Sequence, residues 1–337
     1  MSAKRRIIPV FVPHLGCPND CVFCNQRRIS GSLEPATAET VKSAISAADC
    51  CEGYLYRWEL AFYGGSFTAI EAKERTSLLS AAEDFVKRGG SLRLSTRPDC
   101  IDEDVLKQLS ASGVETIELG CQSMDDEVLR KSGRGHCAED TVNAVKLIKA
   151  YGFKLILQMM TGLPGDSFEK SLYTAQRLAE LQPDGVRIYP TVIIRDTALF
   201  DMWQAGIYKE HTVEEASEWC ARILPVFQKV QIPVIRLGLN PTEDLSSGDA
   251  VGGAYHPAFG DLVYSRIFLE KAFVILQGSE GAKCVNIGVN PKDISKMVGQ
   301  KRKNIFEIKK KYGIEEVRIS GISDVEKDEV TLICVEK

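Results

Sequence analysis

The stretch FVPHLGCPNDCVFCNQRRIS (residues 11–30) ends a short apolar run and then places three cysteines within eight residues. Cys17, Cys21 and Cys24 have the spacing C-x3-C-x2-C, in a loop directly after a predicted strand. Three thiolates at this spacing can bind three corners of a cubane 4Fe-4S cluster and leave one iron open for chemistry. A structural zinc site with His14 as the fourth ligand is the alternative that this spacing leaves open.

Downstream of the cysteines, short apolar runs alternate with amphipathic stretches, which is the β/α rhythm of a parallel sheet or barrel. Strands are predicted over residues 7–12, 58–63, 91–96, 114–119, 153–160 and 184–190, with helical patterns in the gaps. Six repeats fall short of the eight of a closed barrel. The sequence therefore predicts an α/β fold, a partial (β/α)6 TIM-type barrel that is open on one side to a large substrate. Residues 212–276 have the pattern of a helical continuation, within which residues 232–239 have the apolar pattern of an edge strand. Residues 240–257 are rich in Gly, Ser and Pro and predict a long surface loop.

The C-terminal end of the chain predicts a second, small α+β domain. A β-α-α-β-β pattern occupies residues 279–337, after the barrel domain and its extension at residues 1–278. The net charge of the chain is -4, yet residues 291–312 hold eight Lys or Arg against two acidic residues. An acidic body with a basic C-terminal segment indicates a polyanionic partner such as RNA.

The composition is typical of a globular protein from a reducing compartment. The chain has 337 residues, of which 44% are hydrophobic and 26% charged. Its N-terminal apolar run is short and is broken by Pro9 and Pro13, so we expect neither a signal peptide nor a membrane span, and a cytoplasmic protein. The eleven cysteines are unevenly spaced and odd in number, which favours thiolate ligands and free thiols over a disulfide framework.

Polar side chains recur at the carboxyl ends of the predicted strands, the edge at which β/α barrels hold their active sites. They are Ser95, Thr96 and Arg97 after the third strand, Glu118 and Gln122 around the fourth, Gln158 on the fifth, and Arg187 and Tyr189 on the sixth. Polar groups inside a barrel are costly unless they pair or bind a ligand. We therefore expect them to line one cavity, with Gln158, Arg187 and Tyr189 as candidate catalytic residues and Arg187 bound to an anionic group.

The cysteine motif, with the aromatic Phe23 directly before its last cysteine, resembles the signature of the radical S-adenosylmethionine (radical SAM) enzymes. The resemblance implies that SAM chelates the open iron through its amino and carboxylate groups. One electron from the cluster would then cleave SAM to methionine and a 5'-deoxyadenosyl radical, which abstracts hydrogen from the substrate. The implied cofactors are a 4Fe-4S cluster and SAM, and the implied partners include an electron donor such as ferredoxin or flavodoxin.

The same resemblance implies a SAM site next to the cysteines. The segment YGGSF (residues 63–67) stands at the end of the second strand, where the superfamily carries a glycine-rich motif that lets the backbone approach SAM closely. The candidate metal ligands are Cys17, Cys21 and Cys24. The candidate cofactor-binding residues are Phe23, Gly64, Gly65, Ser66, Ser95, Arg97 and Gln122.

Four longer segments are similar to the radical SAM domain of the Elongator catalytic subunit family. They are STRPD (95–99), ELGCQSMDDEVLRKSGRGH (118–136), GLPGD (162–166) and VRIYPTVIIRDTALFDMWQAGIY (186–208). The resemblance implies chemistry on the wobble uridine of a tRNA, with an acetyl group from acetyl-CoA. The chain departs from that family at Ser95, Gln158 and Arg187, where the family has Glu, His and Lys. Fewer than ninety residues follow the matching region, so we expect no acetyltransferase domain and leave the acyl donor open.

The C-terminal unit resembles the core of a KH domain, in which a G-x-x-G loop clamps the backbone of single-stranded nucleotides. The candidate RNA-binding residues are Gly299, Gln300, Lys301, Arg302 and Lys303, and the fourth loop residue is Arg302 instead of glycine. The lysines of residues 309–311 are expected to meet phosphates. A helical hairpin with a solvated basic face is the alternative.

Three functions are compatible with the sequence. The first is a radical SAM enzyme that modifies RNA, by resemblance a tRNA. The second is a radical SAM enzyme for a small molecule such as a tetrapyrrole, because anaerobic coproporphyrinogen oxidases share the barrel and a similar Gly-Leu-Pro-Gly segment. The third is a non-catalytic RNA-binding protein whose cysteines hold a structural zinc.

Overall fold

The computed structural model describes residues 5–12, 17, 20–25, 36–48, 57–240 and 248–337. His14, the candidate fourth ligand of a zinc site, lies outside these residues. The chain divides into two compact units, the first with residues 1–212 and 226–255 and the second with residues 213–225 and 256–337.

The first unit is built from alternating strands and helices. Its strands are β1 (Arg6–Val12), β2 (Trp58–Gly64), β3 (Ser91–Thr96), β4 (Val114–Gln122), β5 (Lys154–Thr161), β6 (Gly185–Pro190), β7 (Val192–Ile194), β8 (Val234–Leu237) and β9 (Ala250–Gly253). Its helices are α1 (Ala38–Ala47), α2 (Ala72–Ala81), α3 (Glu83–Lys87), α4 (Glu103–Ala111), α5 (Asp126–Lys131), α6 (Ala138–Ala150), α7 (Phe168–Glu180) and α8 (Ala198–Gln204). Helix α9 (Val213–Lys229) begins in the second unit and ends in the first.

Seven strands form one curled parallel sheet, in the order β1-β2-β3-β4-β5-β6-β8. Every neighbouring pair is parallel, as expected when a helix connects each strand to the next. The six predicted strands and the edge strand expected within residues 232–239 are all present. The prediction of a partial TIM-type barrel is therefore confirmed.

Strand β4 shows how the sheet separates its two faces. Ile117, Leu119 and Cys121 are completely buried, with 0% exposure. At the alternate positions, Thr116 donates to Glu59 at 3.0 Å and Glu118 pairs with an arginine of β3. Because successive side chains of a strand point to opposite faces, one face of the sheet is apolar and the other carries the polar groups.

The helices begin at side chains that accept the first free amides. Asp102 accepts from the Val105 amide at 2.8 Å ahead of α4, and Asp125 accepts from the Val128 amide at 3.0 Å ahead of α5. Such caps stabilise a helix by about 1 kcal/mol each. These caps fix the first residue of each helix. They therefore also set the length of the loop between the carboxyl end of the preceding strand and the helix.

One short strand was not expected. Residues 250–253 were predicted to lie in a surface loop, but they form β9, which pairs antiparallel with β7 and sets Val192 opposite Gly253. A Cβ at Gly253 would lie 2.6 Å from the Thr191 carbonyl oxygen, so this pairing requires glycine there. The loop prediction was wrong at these four residues because the partner strand lies far away in sequence.

The second unit has the predicted β-α-α-β-β order, preceded by a long helix. Its elements are α10 (Phe259–Ile275), β10 (Cys284–Val289), α11 (Ile294–Val298), α12 (Lys303–Tyr312), β11 (Glu316–Gly321) and β12 (Val330–Glu336). Strand β10 lies in the centre of a three-stranded sheet, parallel to β11 and antiparallel to β12. Its core includes Phe268, Val285, Ile287, Ile305 and Ile308, each 4% exposed or less. This is a separate hydrophobic core, as expected for a small domain.

Candidate functional site

Three cysteines and the carboxyl ends of four strands surround one cavity of about 130 Å³ in the first unit. Its lining residues are Cys17, Asp20, Cys21, Phe23, Cys24, Gly64, Gly65, Ser66, Ser95, Thr96, Arg97, Gly120, Gln122, Arg134 and Gln158. All three predicted metal ligands and all seven predicted cofactor-binding residues are among them. Of the three candidate catalytic residues, only Gln158 lines this cavity.

The glycine-rich end of β2 packs directly on the end of β1. The Gly65 amide donates to the Val12 carbonyl oxygen at 2.8 Å. Gly64 has a φ of 110°, and a Cβ at this residue would lie 2.9 Å from the same oxygen. Only glycine fits this conformation and this contact without strain. The arrangement brings the backbone of Gly65 and Ser66 to the wall of the cavity.

Backbone hydrogen bonds hold the cysteine loop at both sides. The Val22 amide donates to the Ser132 carbonyl at 3.1 Å, and the Val22 carbonyl accepts from the Leu199 amide at 2.8 Å. The Cys24 amide donates to the Cys21 carbonyl at 3.0 Å, which closes a tight turn. Phe23 packs on an apolar cluster that contains Ile193. Residues 21–24 are therefore held in place by the rest of the first unit.

Two buried guanidinium groups lie against the thiol of Cys21. The Arg134 Nη1 atom donates to the Cys21 Sγ atom at 3.4 Å, and the Arg97 Nη1 atom lies 4.0 Å from it. Arg97 also makes two hydrogen bonds of 3.0 Å with the Asp99 carboxylate. Burial raises the pKa of the neighbouring Cys17 thiol, while the Ser66 amide and Arg97 act in the opposite direction. Positive charge thus lies beside the buried thiols, although burial dominates at Cys17 and leaves its pKa above the ordinary value.

Arg134 is the less satisfied of the two arginines. It is 6% exposed, its Nη2 atom donates to the Gly120 carbonyl at 2.6 Å, and its Nε atom has no partner among the described residues. No carboxylate in the described part of the chain pairs with it, unlike Arg97. A buried charge is expensive unless it is paired, so the charge of Arg134 calls for an anion in the cavity.

The three thiols are arranged around the cavity and not around one point. Within the described residues, no three His, Cys, Asp or Glu side chains are close enough to hold a single metal ion. In a cubane cluster, by contrast, each thiolate binds a different iron.

Gln122, at the end of β4, is strained and incompletely bonded. Its φ is 65°, in the left-handed region that side chains rarely adopt, and it is 9% exposed. Its Oε1 atom has no hydrogen-bond partner in the part of the chain that the structure describes. Strained backbone that persists is characteristic of binding sites, and a buried free acceptor requires a donor. Gln122 is therefore prepared to accept a hydrogen bond from a ligand.

Glu118 is the centre of a buried ionic network on the polar face of the sheet. It is 1% exposed, and its carboxylate lies 2.7 Å from Arg93 Nη1 and 2.9 Å from Arg187 Nη2. Burial alone would raise the pKa of Glu118, but these two guanidinium groups outweigh it and hold the pKa below the ordinary value. Arg93 continues the network to Glu59 at 2.7 Å. Glu118 is therefore ionised and neutralised by the protein itself.

The network also fixes the orientation of Gln158. Gln158 lines the cavity, and its Nε2 atom donates to Glu118 at 2.9 Å, which leaves its amide oxygen as the acceptor that Glu118 does not use. The Tyr63 hydroxyl donates to Glu118 at 3.2 Å, and burial together with Glu118 raises the pKa of Tyr63. Tyr63 therefore stays protonated as a donor.

Arg187 and Tyr189 occupy a different place from the one predicted. Both lie outside the cavity lining, and the Arg187 guanidinium binds Glu118. Burial raises the pKa of Tyr189 above its ordinary value. The expected anionic partner of Arg187 is thus a carboxylate of this chain.

Sequence reasoning missed Arg134, Asp20 and Gly120 in the cavity wall. Arg134 belongs to the segment ELGCQSMDDEVLRKSGRGH (118–136), whose resemblance to the Elongator catalytic subunit family is the signal that could have found it. Gly120 carries no chemistry of its own. A Cβ there would lie 3.0 Å from Gln122 Nε2 and 3.4 Å from Arg134 Nη2, so its contribution is to leave space.

The predicted RNA-binding loop of the second unit is exposed and strained. Gly299 has a φ of 72°, Lys301 of 51° and Arg302 of 62°. Arg302 therefore adopts, at the fourth position of the loop, the conformation that a glycine would favour. Asn304 (4% exposed) anchors the loop by donating to the Ser265 and Lys296 carbonyls at 2.8 and 3.1 Å. The left-handed conformation at the fourth loop position is therefore present although Arg302 stands there instead of glycine.

The comparison with family models assigns the class. Residues 11–178 match the radical SAM superfamily, and residues 183–268 match the Radical_SAM C-terminal domain. The chain belongs to the radical SAM superfamily.

Within that superfamily, the chain is similar to proteins with tRNA-related names. It is 32% identical over 215 residues to a tRNA uridine(34) acetyltransferase of Methanocaldococcus infernus. This alignment covers 60% of this chain and 38% of the relative. The chain is 34% identical over 137 residues to Elongator complex protein 3 of Schizosaccharomyces pombe, which covers 40% of this chain and 25% of the relative. The chain thus spans less than two fifths of the length of these relatives.

A solved structure with the same fold supports the architecture. The archaeal Methanocaldococcus infernus Elp3 superposes with a TM-score of 0.62 at 24% identity, over 81% of this chain and 64% of that one. In the part of the chain that the structure describes, no helix has both the length and the apolarity needed to cross a membrane.

Proposed function

We propose that this chain is a radical SAM enzyme that modifies RNA, at the wobble uridine of a tRNA. The observation that carries the proposal is the cavity in which three cysteines, a buried unpaired arginine and a free buried amide oxygen face one another. When bound there, a 4Fe-4S cluster supplies the electron that cleaves SAM and so starts hydrogen abstraction from the substrate. The membership in the superfamily and the tRNA-related relatives support the same conclusion.

The residues present fit both cofactors. Cys17, Cys21 and Cys24 line the cavity without converging on a single ion, and three thiolates can bind three irons of a cluster. Arg134 and Arg97 place two positive charges at Cys21, where a thiolate-bound cluster is negative. The donor set and its charge therefore match an anionic cluster.

The remaining wall provides groups for SAM. The backbone of Gly64, Gly65 and Ser66 lies at the cavity, and Ser95, Arg97 and Gln122 add side-chain donors and acceptors. Arg97 already binds the Asp99 carboxylate and brings its remaining amino group to the cavity, and the Gln122 oxygen suits an amino or hydroxyl group. Phe23 closes the wall beside the last cysteine with an apolar surface.

On the substrate side we assign Gln158 the direct contact and Arg187 and Tyr189 positioning roles. Glu118 binds the Gln158 amide group, so the Gln158 oxygen is turned to accept a hydrogen bond, for example from an imide N–H of uracil. Arg187 fixes Glu118, and thereby the orientation of Gln158. Because Arg187 is neutralised by Glu118, the protein offers little net charge there, which suits an uncharged base.

The second unit is assigned the grip on RNA. Gly299, Gln300, Lys301, Arg302 and Lys303 form the strained, basic loop, and exposed cations of this kind bind phosphates. The proposal places the protein in the cytoplasm with its tRNA, and an electron donor such as ferredoxin or flavodoxin supplies the electron.

The experiment that tests the proposal is the release of 5'-deoxyadenosine by anaerobically reconstituted, dithionite-reduced protein, with and without bulk tRNA. We expect release that tRNA stimulates. Release that ignores tRNA would move the substrate to small molecules, and an iron-loaded protein that releases none would end the catalytic proposal.

Cys21→Ala is the matched variant for this assay. It removes the thiol that both arginines approach, so we expect loss of acid-labile sulfide, of the brown chromophore and of 5'-deoxyadenosine release. Cys137→Ser is the control, because Cys137 is an exposed free thiol away from the cavity. Equal cluster content in both variants would contradict the assignment of Cys21.

A further inference from the structure

The exposed face of α12 carries an aromatic ring between cations. Phe306 is 63% exposed, although most large apolar side chains of this unit are buried. On a helix, residues 303, 306 and 310 are three and four apart and so share one face. Lys303 and Lys310 are both exposed and stand one turn before and one turn after the ring. A half-buried acidic residue, Glu307, lies beside them.

This face continues into the strained loop. Lys301 and Arg302 are exposed, have positive φ, and directly precede α12. No side chain in the described part of the chain caps the first amides of α12. The first of these amides already donates to the Gln300 carbonyl, so Lys301 and Arg302 are the groups that a phosphate would meet here. The loop and the face therefore form one surface, which we call the α12 surface: Lys301, Arg302, Lys303, Phe306 and Lys310.

The cations of the α12 surface differ from the other lysines of the same segment. Lys309 donates to the Glu315 carbonyl, and Lys311 lies 3.7 Å from the centre of the Phe273 ring. Lys303 has only an exposed acidic neighbour, Glu214, at 3.5 Å, which water and salt weaken. Among the described residues no partner is found for Lys310. Lysines 309 and 311 thus serve the unit itself, and the α12 surface retains cations for a ligand.

We propose that the α12 surface binds single-stranded RNA, with one base stacked on Phe306 and the adjoining phosphates held by Lys301, Arg302, Lys303 and Lys310. The inference rests on the proposed function, since it names how the RNA substrate is gripped. Proteins that bind single-stranded nucleic acids combine an exposed aromatic ring with nearby cations. A base stacks on the ring, and the neighbouring phosphates contact the cations. An isolated exposed phenylalanine would need no such neighbours.

The strain in the loop supports a binding role. Two successive residues other than glycine in the left-handed region cost free energy that the folded unit must supply. Asn304, buried beneath the loop, holds that conformation through two carbonyl contacts. The conformation sets the two cationic side chains at the start of the face that carries Phe306.

The test measures the binding of the full-length protein to a fluorescein-labelled single-stranded RNA of about ten nucleotides by anisotropy, at several salt concentrations. We expect Phe306→Leu to weaken binding by about tenfold to a hundredfold, and to leave the slope of log affinity against log salt unchanged. Phe306→Tyr keeps the ring and should bind as the wild type does. Lys310→Gln should lower the slope by about 0.7, the value for one phosphate contact of a single strand.

Val274→Ala is the control for loss of exposed apolar surface. Val274 is 66% exposed and lies in the same unit, at the end of α10, outside the α12 surface. We expect it to bind RNA as the wild type does. If Phe306→Leu bound RNA with wild-type affinity while the wild-type enzyme still released more 5'-deoxyadenosine with tRNA, the stacking inference would be wrong and the proposed function would stand. If the wild-type protein bound no RNA and tRNA gave no stimulation, both would fail together.

Discussion

The polar face of the seven-stranded sheet and the α12 surface both collect cations, but in opposite surroundings. Arg93 and Arg187 are largely buried, and the carboxylates of Glu59 and Glu118 together neutralise them. Lys301 and Arg302 are exposed, and no carboxylate pairs with them among the described residues. A buried charge needs a protein partner, whereas water serves an exposed one. The first set is therefore committed to the structure, and the second is free for a ligand.

Arg134 belongs to neither set. It is more buried than Arg93 and Arg187 but has no carboxylate partner within the described residues, and its nearest anionic candidate is the thiol of Cys21. The contrast teaches that the location of a cation does not reveal its role until its partner is known. Each of the following predictions changes one partner.

The largest effect is expected from Glu118→Gln. The amide keeps the shape but leaves Arg93 and Arg187 buried without their shared carboxylate, which should lower the free energy of unfolding by about 3–5 kcal/mol. Urea denaturation followed by circular dichroism measures it. Glu115→Gln is the control, because Glu115 is 41% exposed and pairs with Arg5 at 2.6 Å near the surface, so a loss below about 1 kcal/mol is expected. Equal losses in the two variants would remove the distinction between buried and exposed pairs.

A somewhat smaller effect is expected from the pH dependence of His136. Burial, and then the charge of Arg134, lower the pKa of this histidine to about 4, below the ordinary value of 6.5. Between these two pH values the folded protein thus binds fewer protons at His136 than the unfolded chain does. The contribution of His136 to the free energy of unfolding is therefore fully present above pH 6.5 and is lost as the pH falls towards 4. The loss through this residue is about 3 kcal/mol at most.

His136→Gln should therefore flatten the stability curve over that pH range. Urea midpoints of the wild type and the variant at several pH values provide the comparison. Parallel curves would mean that His136 is as easily protonated in the folded protein as in the unfolded chain.

The smallest effect concerns Arg134 and the proposed cluster. Arg134→Gln removes a positive charge next to Cys21, so the reduced cluster should lose stabilisation of about 1 kcal/mol and its midpoint potential should become more negative. A redox titration followed by electron paramagnetic resonance measures the shift. Arg130→Gln, at an exposed position on α5, is the control. An unchanged midpoint potential in Arg134→Gln would show that the cluster is not the anionic partner of Arg134.

The fold was largely predictable because the periodicity of the sequence is local information. The predicted strands over residues 58–63, 91–96 and 114–119 are observed as Trp58–Gly64, Ser91–Thr96 and Val114–Gln122. The β7–β9 pair was missed, since Val192 and Gly253 are brought together only by the folded chain. Pairing between distant segments leaves no periodic signal in either one.

The sequence predicted which residues line the candidate site but not which of their side chains pair with one another. The cysteines and the cofactor-binding candidates do line one cavity, because the carboxyl ends of parallel strands meet at one edge. That Arg187 binds Glu118 depends on the register of β4, β5 and β6, which no single strand encodes. Arg134 was overlooked for the same reason, since its contact with Cys21 joins residues that are 113 positions apart.

The chain of ion pairs on the sheet has a consequence for how this sequence can evolve. Glu59, Arg93, Glu118 and Arg187 are joined in series, so the cost of changing one depends on which residues occupy the others. Replacement of a single member leaves a buried charge without a partner of opposite sign. Replacement of the whole set by apolar residues of similar volume, in contrast, can be tolerated. In a library of single substitutions these four positions would all score as essential, and only a library that varies them together would reveal which of them the chemistry requires.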